Sequence, residues 1–162
     1  MHRIVSGYFT GILLIWLYLV DTTAADLPKP LSPLAGDKCP VCGMFVAKYP
    51  DWIVQIRFKG QKIVFFDGAK DFFKYYFNIA YYSPGKTTSD IAAIFVTDYY
   101  SVTFINAAGA YFVTGSDVFG PMGRELIPFS SAVSAEEFLK DHRGKKIFTF
   151  DTITPELLRT LE

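Results

Sequence analysis

Three features of the sequence predict an α+β fold of two β-β-α-β units packed together as a pseudo-repeat. Short stretches of alternating apolar residues mark strands. Longer stretches with apolar residues three and four apart mark helices, and the order strand, strand, helix, strand is met twice. The recurrence is one of pattern rather than of residue identity. It divides a domain at 39–162 into halves at about 39–98 and 99–162.

In the first half, Trp52, Val54, Ile56 and Phe58 alternate with Ile53, Gln55 and Arg57, which is the period of a strand. Lys59-Gly60 supplies a hairpin turn, and Lys62–Phe66 returns as the second strand. Asp67 is placed to cap a helix whose Ala69, Phe72, Phe73, Tyr76 and Phe77 share one face. Beyond the Ser83-Pro84-Gly85 loop, Ile91–Val96 is an apolar run of strand length.

In the second half, Val102–Asn106 and Ala110–Val113 flank Ala108-Gly109 and read as another hairpin. A long loop from Gly115 to Glu125 follows. Ser134 with Glu137 has the spacing of a capping box, and Ala135, Phe138 and Leu139 form the inward face of a short helix. Lys146–Phe150 closes the second unit. Thr154-Pro155-Glu156 starts a last short helix, with proline at its first position.

The N-terminus has the organisation of an export signal. His2 and Arg3 precede an apolar run at Gly11–Val20, and Thr22-Thr23-Ala24-Ala25 offers small residues for cleavage. Residues 1–25 are therefore read as a signal peptide or N-terminal anchor, with residues 4–20 at the short end of what crosses a bilayer. Residues 26–38, with Pro28, Pro30, Pro33 and Gly36, form a proline-rich linker. The expected location is periplasmic or otherwise extracytoplasmic, with membrane contact only through the N-terminal segment. No cysteine follows the apolar run at once, which argues against a lipid anchor.

Composition excludes several functions. The chain has 16 Lys+Arg against 16 Asp+Glu and no basic stripe, so nucleic acid is not an expected partner. At 51% hydrophobic and 17% aromatic residues it has material for a core and not for a disordered chain. No Ser-His-Asp set and no phosphate-binding glycine loop is present, and catalysis is not indicated. Asp67 and Asp71 resemble a carboxylate pair, but they are better explained as a helix cap and a favourable first-turn charge.

The chemistry concentrates in sulfur. Apart from Met1, every cysteine and methionine lies in Cys39-Pro40-Val41-Cys42-Gly43-Met44 or in Gly120-Pro121-Met122-Gly123. Methionine ordinarily fills cores; here it sits beside glycine and proline. Thiolate plus thioether is a soft donor set and selects Cu(I) first. Cys42 and Met44 can share an ion only if the backbone between them bends, and Gly43 permits that. The plainer reading packs Met44 against Phe45 and Val46, and uses Met122 for a protein contact. Cys39 is a second ligand, a disulfide partner of Cys42, or a thiol protecting the site by reversible oxidation. A thiol–disulfide oxidoreductase needs a helix directly after the motif, which Tyr49-Pro50 interrupts. Zinc in a structural site wants four Cys/His ligands, and only Cys39, Cys42 and His142 follow the signal. His142 continues a helical face and reads as structural.

These residues resemble those of the NosL family. The similar segments are Cys39–Met44 (CPVCGM), Phe65–Gly68 (FFDG), Val96–Tyr99 (VTDY), Tyr111–Gly115 (YFVTG), Gly115–Phe129 (GSDVFGPMGRELIPF) and Ala135–Phe138 (AEEF). The resemblance implies two β-β-α-β units and a Cu(I) site outside the cytoplasmic membrane. It further implies Cys42, Met44 and Met122 as ligands, with Cys39 a further candidate. The implied role is a copper chaperone that receives the ion from an upstream donor and passes it to a recipient cuproenzyme. By that resemblance the recipient is nitrous oxide reductase, at its copper–sulfide centre. The remaining alternatives are the oxidoreductase and a disulfide-stapled binding module.

Overall fold

A computed structural model describes residues 28–162. The expected signal or anchor at 1–25 lies outside the described residues. Among the described residues no helix is long and apolar enough to cross a membrane.

The first unit comprises β1 (Val54–Phe58), β2 (Ile63–Phe66), α1 (Ala69–Phe77), the single turn α2 (Ile79–Tyr82) and β3 (Ile91–Thr97). β1 is central and antiparallel to both neighbours, with Ile56 opposite Val64 on one side and Ile94 on the other. The alternation in β1 is only half of its story, because Gln55 is as buried as Ile56. The extended segment around Leu31 lies over that face. The Leu31 N–H donates to Gln55 Oε1 at 3.0 Å, and Gln55 Nε2 donates to the Leu31 carbonyl at 2.8 Å. A buried amide is tolerated when both of its ends are satisfied in this way.

After β3 the chain departs from the expected hairpin. β4 (Phe104–Asn106) pairs with β3, with Ile105 opposite Val96, and not with β5 (Tyr111–Thr114). Asp98 is the cause. Its carboxylate accepts the Tyr100 and Ser101 N–H groups at 3.1 and 2.8 Å and turns the chain straight back along β3. Ala107–Gly109 is then a connector between sheets, a 3-10 turn capped by Asn106.

The second unit is β5, β6 (Ile127–Phe129), α3 (Ala132–Asp141) and β7 (Lys146–Thr149). β5 is again central, with order β6-β5-β7 mirroring β2-β1-β3. The hairpin partner of β5 is β6, reached through the long Gly115–Glu125 loop. β6 escapes a propensity reading because it is three residues long and contains Pro128. An edge strand accommodates a residue without an N–H. α3 is capped by Ser131, whose hydroxyl accepts the Ser134 N–H, so the helix starts ahead of the expected Ser134 box. α4 (Pro155–Arg159) starts as expected, with Thr154 accepting the Leu157 N–H.

β5 serves two cores. Phe112 packs with α1, its ring 5.4 Å from that of Phe73, while the neighbouring Val113 joins Ile127, Phe129, Ala135 and Phe138 under α3. The α1 core is aromatic, with Phe66, Phe72, Phe73 and Tyr75 fully enclosed. Their rings meet tilted or edge-on, which suits the ring quadrupoles. Truncating any of these phenylalanines to alanine costs about 3–5 kcal/mol. Two antiparallel sheets with helices packed against them form the α+β fold expected from the sequence.

Candidate metal centre

The Cys39–Met44 motif closes into a tight turn. The Cys39 N–H donates to the Met44 carbonyl at 2.9 Å, and the Gly43 N–H donates to the Cys39 carbonyl at 2.9 Å. Gly43 has φ +81°, the left-handed region where a side chain is strained, so the bend expected at this position is present. Lys38 and Phe45 bridge across the base of the turn. Both cysteines are free thiols; Cys39 is buried and Cys42 half-buried, as is Met44.

The turn lies against the start of α1. Cys42 Sγ is 3.2 and 3.4 Å from the two Asp67 carboxylate oxygens, and Cys39 Sγ is 3.4 Å from Asp71 Oδ2. Asp67 is therefore not the helix cap expected from the sequence. Gly68 occupies the cap position, and no side chain caps it in the usual way. The carboxylate that fills this role comes from far along the chain. Glu125, from the long loop, accepts the Lys70 N–H beneath Gly68.

The Met122 loop reaches the same turn of α1 from the other side. Gly120 and Gly123 exchange both backbone hydrogen bonds, at 2.8 and 3.0 Å, leaving Pro121 and Met122 at the tip. Lys70 Nζ donates to the Met122 carbonyl at 2.7 Å and also to Leu161. Met122 is 43% exposed, so it does not fill the core. The structure thus brings both sulfur loops to the start of α1. The sulfur turn is held there through Asp67 and Asp71, and the Met122 backbone through Lys70. Met44 is tied to this assembly by its main chain, through Cys39.

The electrostatics are unusual. Asp67, Lys70 and Asp71 are all buried. Burial pushes the Cys42 thiol up to about 12, with the Asp67 carboxylate adding to the effect. Cys39 is driven up further, again by burial first. An oxidoreductase lowers its attacking thiol at a helix N-terminus. Here the thiols face carboxylates, and the motif is a closed turn and not a helix start. His142 stands apart from this cluster, stacked on Phe138 at 4.4 Å and 3.1 Å from Asp117, a structural position as expected.

Four contacts at this place escaped the sequence reading: Asp67 and Asp71 as partners of the thiols, and Lys70 and Glu125 as anchors of the loop. A signal existed for the first two. Two acids four apart at the head of an otherwise apolar helix face are costly to bury without a purpose.

A family model described as NosL matches residues 30–158. The chain is 25% identical over 170 residues to the copper-binding lipoprotein NosL of Stutzerimonas stutzeri, covering 98% of this chain and 85% of that protein. The crystal structure of the copper chaperone NosL from Shewanella denitrificans superposes with a TM-score of 0.67 at 25% identity, covering 81% of this chain and 98% of that one.

Proposed function

Since the chain belongs to the NosL family, we propose that it is a non-catalytic copper carrier working outside the cytoplasmic membrane. The ion is Cu(I). Cys42 supplies the anionic donor and Met44 and Met122 the neutral ones, with Cys39 a further candidate. The reading is carried by one observation: the sulfur turn and the Met122 loop, 78 positions apart (122 − 44), both contact the first turn of α1, through Asp71 and Lys70. The likeness to a copper-binding lipoprotein and to a copper chaperone supports the choice of metal and role.

Soft sulfur donors suit Cu(I) and disfavour hard cations. The thioethers carry no proton, so only the thiol must ionise on loading, and the bound ion supplies the charge that drives that ionisation. A half-buried Cys42 and an exposed Met122 leave the ion accessible for ligand exchange with a recipient. By the family resemblance the recipient is nitrous oxide reductase, or a similar cuproenzyme, with an upstream copper donor. Residues 4–20 anchor the protein if they are retained.

The test is an anaerobic competition titration of reduced protein with Cu(I), beside Cys42→Ser and Met122→Leu. One-to-one binding weakened by both changes is the expected result. Binding that Met122→Leu leaves untouched removes the shared site, and no binding at all refutes the carrier.

A further inference from the structure

An aromatic cleft outside the two sulfur motifs has no part in the metal chemistry. Asp51, Trp52, Tyr99, Tyr100, Val102 and Val118 line an open space of about 390 Å³. Tyr99 is anchored on the α3 core, its ring 4.9 Å from Phe138 and 5.9 Å from Phe129. Trp52 meets Tyr99 at 6.4 Å and Tyr100 meets it at 5.5 Å, inclined by 60° and 61°. Rings inclined to one another, and not stacked flat, are the arrangement of an aromatic cage.

The loop that carries both tyrosines is rigid. The buried Asp98 carboxylate accepts the N–H groups of Tyr100, Ser101 and Ser130 at 3.1, 2.8 and 2.6 Å. The Val102 N–H donates to the Asp98 carbonyl at 2.9 Å. Val102 has φ +52°, a left-handed conformation that a β-branched residue rarely adopts. Such strain persists where the surroundings over-determine it, ligand clamps among them. Yet Tyr100 stays 49% exposed and Val102 50%. Contiguous apolar groups left in water on a rigid frame mark a binding surface.

Charge selects the ligand. Among the described residues that line the cleft, Asp51 is the only charged one. Burial, and after it the Asp141 and Glu137 carboxylates of α3, raise the Tyr100 hydroxyl above its ordinary value, so acids stand nearby. Ring faces beside carboxylates attract a cation, and a methylated ammonium also buries its methyl groups there. An anion on the same ligand would meet only like charge.

We propose that this cleft binds a quaternary ammonium of the choline type, without an adjoining phosphate or carboxylate. Trp52, Tyr99 and Tyr100 hold the methyl groups, and Asp51 balances the charge. None of these residues belongs to the copper reading, so the proposal does not rest on it.

The test follows the indole N–H of Trp52, the one tryptophan beyond residues 1–25, by NMR as choline is added to the full chain. A saturable one-to-one shift is expected. The uncharged carbon analogue of choline has the same shape and should bind about fivefold more weakly. Betaine and phosphatidylcholine vesicles, which carry an anion beside the ammonium, also bind more weakly than choline. Asp51→Asn and Tyr100→Leu, both at exposed positions, each weaken choline binding about fivefold. Absence of a saturable shift in the unmodified protein overturns the proposal without recourse to any variant. So does equal affinity for the uncharged analogue, which makes the cleft an apolar surface only. Vesicles that bind as well as choline overturn it in favour of a lipid headgroup. Affinity unchanged in both variants places the site elsewhere and refutes it too.

Discussion

Lys70, in the first turn of α1, holds the carbonyl of Met122 at 2.7 Å with a buried ammonium, although the two residues are 52 positions apart. The same residue gives its backbone N–H to Glu125, so one helical position grips both ends of the segment that carries the exposed methionine. The loop tip is free in its side chain and fixed in its backbone, which suits a ligand that must be presented without being buried.

Replacing Lys70 with methionine keeps the apolar stem and removes the donor. A hydrogen bond to a charged group contributes about 1.5–3 kcal/mol, and the Met122 and Leu161 carbonyls lose theirs together. Global stability should fall by roughly that amount. The Gly120 and Gly123 amides, protected by their mutual hydrogen bonds, should exchange faster in hydrogen–deuterium exchange. Unchanged exchange there would show that the loop holds its own shape.

Glu125 makes stability depend on pH. Burial pushes its carboxyl up to about 8, against the pull of the Leu126 and Lys70 N–H groups and the Lys70 charge. The folded protein therefore holds a proton that the unfolded chain has released. The neutral acid's contribution is fully present below the ordinary value near 4.5 and is lost as pH rises through about 8. Denaturation midpoints should decline across that window by an amount on the order of a few kcal/mol, and Glu125→Gln should flatten the decline. A profile of equal slope in Glu125→Gln would place the titration elsewhere.

Gly68 is required by proximity and not by backbone conformation, since it is extended. A Cβ there would press on Glu125 Oε2 and lie 3.1 Å from its Cδ. Gly68→Ala should cost about 1–3 kcal/mol, read as a lowered Tm. The pairing of Gly68→Ala with Glu125→Ala should recover part of the loss, because the two changes address one contact.

Asp67 holds the Cys42 thiol in its neutral form together with burial, which is the larger cause. Asp67→Asn removes the charge and keeps the shape, so the thiolate forms at lower pH. Alkylation of Cys42, followed by mass spectrometry across a pH series, should rise earlier than in the unmodified protein. An unmoved profile would leave burial as the whole cause.

Much of the fold was legible because local periodicity and tertiary burial agree. Of the face expected for α1, Ala69, Phe72 and Phe73 are buried and Tyr76 and Phe77 half-buried, and Ile56 and Phe58 are buried as the alternation requires. Reading failed where a residue's surroundings came from far along the chain. Gln55 looks like a solvent-facing residue of β1 until Leu31 covers it. Val102–Asn106 looks like half of a hairpin with β5 until the Asp98 carboxylate turns it onto β3.

What the sequence by itself determined was the inventory: the strand–strand–helix–strand run of the first half, most of the strands and helices of the second, and sulfur that, Met1 apart, is confined to two short glycine-containing motifs. Those follow from side-chain period and from which residues tolerate a tight turn, properties carried within a few neighbouring positions. Only the tertiary structure decided that both motifs meet at α1, and that Asp67 and Asp71 face the thiols. Convergence depends on the Lys70 and Glu125 contacts across more than fifty positions. The role of a buried acid depends on what desolvates it, which no local pattern encodes.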